Sequence, residues 1–138
     1  MTISAHVQNS EGKHSVTLAT GDHVHSITVP PRPGGFGSSA NGGELLCLAF
    51  ATCYCNDIYR EAVKRNITVE RVEVEVDGEF GGEGEPAKNI RYRATVVANG
   101  SDEQTLDLMR ETDKLAEIQN SLRKGIPVTF IPPSVTQV

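Results

Sequence analysis

From Val69 to Phe80 the chain alternates without a break. Val72, Val74 and Val76 fall on one side, and Arg71, Glu73, Glu75 and Asp77 on the other. A period of two marks a half-buried antiparallel strand. After the turn GGEGEPAK, Asn89 to Ala98 (NIRYRATVVA) is the expected partner strand. The same alternation, weaker, runs through residues 14 to 21 and 22 to 29, with Val16, Leu18, Val24, Ile27 and Val29 as the apolar members and Thr20-Gly21-Asp22 as the turn. Ile3 to Val7 is read as a first strand, followed by a turn over Asn9 to Gly12.

The period changes at Glu44. Glu44 to Arg65 contains no Gly or Pro, opens on an acidic residue and closes on Lys64 and Arg65, as the helix dipole favours. Before it, residues 30 to 43 (PPRPGGFGSSANGG) hold three Pro and five Gly, so this stretch is neither helix nor central strand. A loop of that length is either functional or a connector. Ser101 or Asp102 is placed to cap a second helix running to about Lys114, with Leu106, Met109 and Leu115 as its apolar members. Leu115 to Arg123 is expected as a short third helix ending near Gly125, and Ile126 to Ile131 as a last strand stopped by Pro132-Pro133. The order βββ-α-ββ-α(α)-β predicts an α+β fold: a mainly antiparallel sheet, a long central helix and a second helical segment. With no internal repeat and no compositional break, residues 1–138 are read as a single domain.

Composition narrows the function classes. A net charge of -5 leaves no basic footprint, so no nucleic-acid partner is expected. The longest apolar run falls far short of the ~20 residues of a membrane span, so no membrane is expected either. The N-terminal MTISAHVQNS has no basic start and no apolar stretch after it, and the expectation is a cytoplasmic protein. His23 and His25 share a strand face without a third ligand nearby, and PGGFGSSANGG matches no nucleotide-binding pattern. No metal and no cofactor are expected.

Candidate chemistry lies in ELLCLAFATCYC, residues 44 to 55, which holds all three cysteines. An odd number gathered in one segment reads as reduced thiols rather than a disulfide framework. On a helix, Leu45, Leu48, Ala51, Cys55, Ile58, Tyr59 and Ala62 make one apolar stripe, to which Cys47 is also assigned. The other side carries Leu46, Ala49, Phe50, Cys53, Asn56, Asp57 and Arg60. Cys47 and Cys55 are therefore read as small core residues. Cys53 stands where the helix turns from apolar to charged, one turn before Asp57 and two before Arg60. Arg60, or an arginine brought in by a loop, would lower the thiol's pKa, and Cys53 is expected to be the one thiol so depressed. Cys47 and Cys53 are separated by roughly 9 Å of helix rise, and Cys55 points away from Cys53. A bridge needs Cα atoms within about 7 Å, so no internal disulfide is expected.

The stretch SSANGGELLCLAFATCYC, the alternating VERVEVEVDGEF and the later IQNSLRKGIPVTF together resemble the OsmC/Ohr family, over about residues 14 to 131. The resemblance implies a small α+β protein that reduces organic hydroperoxides in bacterial stress defence and works as an interlocked homodimer. It assigns the attacking role to Cys53, through the Leu45-to-Cys53 spacing. The family's second cysteine aligns with Ala116 and its helix-opening glutamate with Gly43, beside which stands Glu44. The family's activating arginine comes from the N-terminal strand region. This chain has no arginine before Arg32, which makes Arg32 the candidate. The expectation is a one-cysteine thiol peroxidase with Cys53, Glu44 and Arg32 at its site, a small hydroperoxide or apolar electrophile as substrate, and an external thiol as reductant. A catalytically degenerate relative that binds a small ligand is the alternative.

Overall fold

In the computed structural model, which describes residues 1–136, the expected order is found for eight elements. They are β1 (Ile3–Ser10), β2 (Lys13–Thr20), β3 (His23–Ile27), α1 (Gly42–Lys64), β4 (Val69–Glu79), β5 (Lys88–Ala98), α2 (Asp102–Leu115) and α3 (Glu117–Lys124). The fold is α+β and both of its sheets are antiparallel. The chain divides into two compact units, one from Met1 to Cys47 and one from Leu48 onward.

The first unit is a three-stranded meander, β1-β2-β3, with Val7 opposite Val16 and Val16 opposite Ile27. Both hairpins turn on two residues. Gly12 and Gly21 supply the positive φ values of 69° and 56° that such tight turns demand. β1 therefore runs on to Ser10, three residues past the end expected for it. The Gly/Pro loop is pinned rather than loose. Its backbone closes on itself (Arg32 N–H to Gly37 O, 3.0 Å; Ser39 N–H to Pro30 O, 2.9 Å) and reaches β1–β2 through Gly12 N–H to Gly35 O, 3.0 Å. The Asn9 side-chain amide completes this by bonding both the carbonyl and the N–H of Gly37, at 3.1 and 3.0 Å. The loop delivers Asn41, whose side chain accepts from Glu44 N–H at 2.8 Å while Glu44 Oε1 accepts from Asn41 N–H at 2.9 Å. That reciprocal cap starts α1.

In the second unit, the later part of α1 and α2 cover one face of the β4–β5 ladder. Tyr54, Ile58, Ala62 and Leu108 are buried at the centre, packed by Ile67, Val69, Val72, Val74, Tyr92, Ala94, Val96 and Met109. The register sets Val72 opposite Val96 and Val74 opposite Ala94, so the alternating apolar positions share the inner face. The polar positions face out, where Arg93 meets Glu75 and Arg91 meets Asp77, each at 2.9 Å. These pairs are exposed and contribute little. Tyr54 and Tyr92 meet edge to face at 5.0 Å, and Asp113 accepts from Tyr92 Oη and from Arg123 (2.7 Å), tying β5, α2 and α3 together.

Two expectations need correction. The buried face of α1 is Phe50, Tyr54, Asp57, Ile58, Glu61 and Ala62, not the whole stripe of Leu45, Leu48, Ala51, Cys55, Ile58, Tyr59 and Ala62. Leu48 and Tyr59 are exposed. Asp57 and Glu61 can be buried because cations meet them: Arg60 for both, Lys64 and Arg65 for Glu61. Residues 126–131 form no strand, and Val128 and Phe130 are 94% and 86% exposed. Among the described residues no ladder reaches this segment. Strand propensity without a paired neighbour does not hold an extended chain.

The helix ends follow their local chemistry. Ser101 caps α2 through Gln104 N–H (3.2 Å), and Gln104 Oε1 returns the bond to Ser101 N–H (3.0 Å). Ser101→Ala is expected to cost about 1 kcal/mol, read as a lower thermal midpoint with unchanged far-ultraviolet dichroism. Ala116 ends α2 and begins α3 in extended backbone (φ −69°, ψ 108°), with no side-chain cap for α3. Gly125 closes α3 in the left-handed region at φ 71°, where its N–H reaches Ser121 O and Leu122 O.

Candidate functional site around Cys53

Cys53 and Asp57 stand one helical turn apart on α1, which brings their side chains together. The break between α2 and α3 at Ala116 then sets the first residue of α3, Glu117, against the same point. Cys53 Sγ lies 3.7 Å from Asp57 Oδ2 and 3.7 Å from Glu117 Oε1. Arg60 closes the far side, with Nη1 at 3.2 Å from Asp57 Oδ1 and 3.0 Å from Glu117 Oε2. Its Nε holds Glu61 at 2.9 Å. Gln119 locks the two helices in this relation, donating from Nε2 to Phe50 O at 3.1 Å while buried to 1% exposure.

The electrostatics differ from the sequence expectation. Burial pushes the Cys53 thiol up, the Ile118 N–H opposes this, and the carboxylates of Asp57 and Glu117 push it up further. The expected depression fails because Arg60 is spent on Asp57, Glu61 and Glu117 and leaves the sulfur facing two acids. Asp57 is itself raised to about 6, by burial and by the neighbouring Glu117. Glu117 is held low, first by its own backbone amide at the helix start, then by Asp57 and Arg60. Glu61, between Lys64 and Arg60, is lowered to about 2. Like charges this close push the two pKa values apart, and the burden falls on Asp57, the more buried of the pair.

All three cysteines are free, as the helix spacing requires, and each is partly buried. Among the described residues, Cys53 is the cysteine with polar side-chain partners. The sulfur and the two carboxylates lie within 4.8 Å of one another, a donor set that could hold a cation. Arg60 already fills that role for both carboxylates. The other two predicted site residues belong to the N-terminal unit. Glu44 is engaged in the cap with Asn41, and the guanidinium of Arg32 lies beside Gly37. Helical spacing puts Asp57 and Arg60 on the Cys53 side. Glu117 went unnoticed, although it directly follows Ala116, where the family's second cysteine would stand.

A family model for OsmC-like proteins matches residues 35–131. Among solved structures, an OsmC-like protein of unknown function from Vibrio cholerae is similar at a TM-score of 0.63 and 17% identity, covering 88% of this chain and 93% of that one. An OsmC-like protein from Mycoplasma pneumoniae gives 0.60 and 17% over 90% and 87%. An organic hydroperoxide resistance protein from Elizabethkingia anophelis gives 0.60 and 17% over 91% and 90%. No curated protein sequence matches significantly. Among the described residues, no helix is long and apolar enough to cross a membrane.

Proposed function

We propose, for a chain that belongs to the OsmC-like protein family, thiol-dependent reduction of organic hydroperoxides with Cys53 as the attacking residue. The observation that carries this reading is the convergence on one sulfur of the Asp57 and Glu117 carboxyl groups, with Arg60 behind them. Cys53 sulfur takes the terminal oxygen of the hydroperoxide to become a sulfenic acid, and the alcohol leaves. Ala116 offers no second thiol, so a small external thiol condenses with the sulfenic acid and releases water. A second equivalent then restores Cys53 and departs as a disulfide. Glu44 and Arg32 belong to this reading as activating residues, with Arg32 supplied by the partner chain of a homodimer. The protein would work in the cytoplasm as part of oxidative-stress defence.

Intact mass tests the chemistry. One equivalent of cumene hydroperoxide should add one oxygen, or a small-thiol adduct when thiol is present, confined to the peptide bearing Cys53. Loss of two hydrogens within one chain, or modification at Cys47 instead, would refute it. The raised thiol and the alanine at position 116 support a second reading, a relative that has lost the reaction and binds a small apolar or electrophilic ligand. An unmodified Cys53 after peroxide would favour that reading.

A further inference from the structure

We infer that Asp57, paired with Glu117 across Arg60, is a catalytic proton carrier for Cys53: it takes the thiol proton as sulfur attacks and returns it to the departing alkoxide. The inference rests on the peroxidase reading and adds the acid–base step that reading leaves open. The geometry supports it on three counts. Oδ2 of Asp57 stands 3.7 Å from Sγ, the distance of a weak S–H···O contact. Asp57 is a buried carboxyl held in place by Arg60 at 3.2 Å, so its position is fixed before substrate arrives. Glu117 stands at the same 3.7 Å from the sulfur but is more exposed, which gives the pair an outlet to solvent.

The step balances. Asp57 as carboxylate accepts the proton from Cys53 Sγ–H, and the sulfur lone pair forms the S–O bond to the terminal oxygen of R–O–O–H. The O–O bond breaks, sulfur is oxidised by two electrons and the peroxide is reduced by two. The terminal oxygen keeps its hydrogen as Cys53–S–OH. The alkoxide RO⁻ takes the proton from the Asp57 carboxylic acid and leaves as ROH. Asp57 ends as it began, ready for the next cycle.

This arrangement makes sense of an otherwise unhelpful environment. Two carboxylates beside a nucleophilic thiol suppress the thiolate, which is a cost unless one of them acts as the base. A base held near 6 is a carboxylate at neutral pH, yet acidic enough when protonated to give its proton to an alkoxide. The groups facing it are Cys53, Arg60 and Glu61 from α1 and Glu117 from α3. Cys53 is raised, so it rests as the thiol, and Arg60 stays charged throughout. The hydroperoxide rate of the wild type should therefore fall as pH drops through about 6, when the carboxylate is lost.

The test compares two reactions of the same sulfur in Asp57→Asn. Iodoacetamide alkylation needs the thiolate but returns no proton to its leaving iodide, whereas cumene hydroperoxide reduction needs both. In Asp57→Asn, alkylation at pH 7 should rise several-fold because a negative charge is gone. Hydroperoxide reduction should fall about 100-fold, within the range of general acid–base catalysis, and the limb near pH 6 should vanish. Both rates rising together would overturn the proton-carrier role and leave the peroxidase reading intact. A wild type that consumes no hydroperoxide would overturn both. Glu117→Gln, at an exposed side chain, serves if the Asn variant fails to fold. Alkylation should again rise, and the acid limb should move below about 6 as Asp57 loses its acidic neighbour. An unmoved limb would overturn the role.

Discussion

Cys53→Ser is expected to reduce thiol-dependent consumption of cumene hydroperoxide to the buffer rate, a loss on the order of 10³-fold or more. The hydroxyl ionises far too weakly at neutral pH to attack an O–O bond, and its oxygen cannot give up two electrons to the peroxide as sulfur does. Cys47→Ser and Cys55→Ser should keep most of the activity. Neither sulfur has a charged side-chain partner among the described residues, so neither has a group to manage its proton. The substitution also keeps the volume of a partly buried side chain, and unfolding midpoints should change little. Several thiols are needed as reductant in this assay, because a one-cysteine cycle depends on the size and charge of the thiol that reaches the sulfenic acid. Equal activity of Cys53→Ser and wild type with every thiol would remove Cys53 from the chemistry.

The site was legible in part, and the division has a physical reason. Helical periodicity placed Cys53, Asp57 and Arg60 on one side of α1 because their relation is local, set by turns of a single helix. Glu117 is 64 residues from Cys53, and what joins them is the helix break at Ala116, a backbone event at a residue with no side-chain signal. The charge balance was misjudged for the same reason. Arg60 looked like the cation that would activate the thiol, but the acids it neutralises include one from another element. The alternating strands are legible, and so is the cap of α2, Ser101 being one of the two candidates there, since period and cap chemistry are short-range. The buried face of α1 is not. Apolar periodicity cannot announce that Asp57 and Glu61 go inside, because that depends on where Arg60, Lys64 and Arg65 put their charges.

The last strand, expected over residues 126–131 and not formed, bears on assembly. A single chain leaves much apolar surface uncovered: Leu48 at 57% and Val63 at 76% on α1, then Ile126, Val128, Phe130 and Ile131 at 54% to 94%. Scattered apolar side chains are ordinary, but this many on one helix and one segment need a cover. A second copy of the chain, as in the proposed homodimer, would cover both. An obligate interface of that kind buries well over about 2,000 Å² in total. Sedimentation at micromolar concentration should therefore give twice 14.9 kDa, and the thermal midpoint should rise with protein concentration. Leu48→Asp is the sharper probe. On a monomer, a charge at a half-exposed helix position costs a few tenths of a kcal/mol. In a dimer that buries this side chain it leaves an unpaired charge in an apolar interface, at a cost of about 3 kcal/mol or more. The variant should then sediment as monomer or unfold at wild-type concentrations. A Leu48→Asp protein with unchanged mass and midpoint would place the dimer contact elsewhere, and a wild type with a concentration-independent midpoint at 14.9 kDa would remove the dimer altogether.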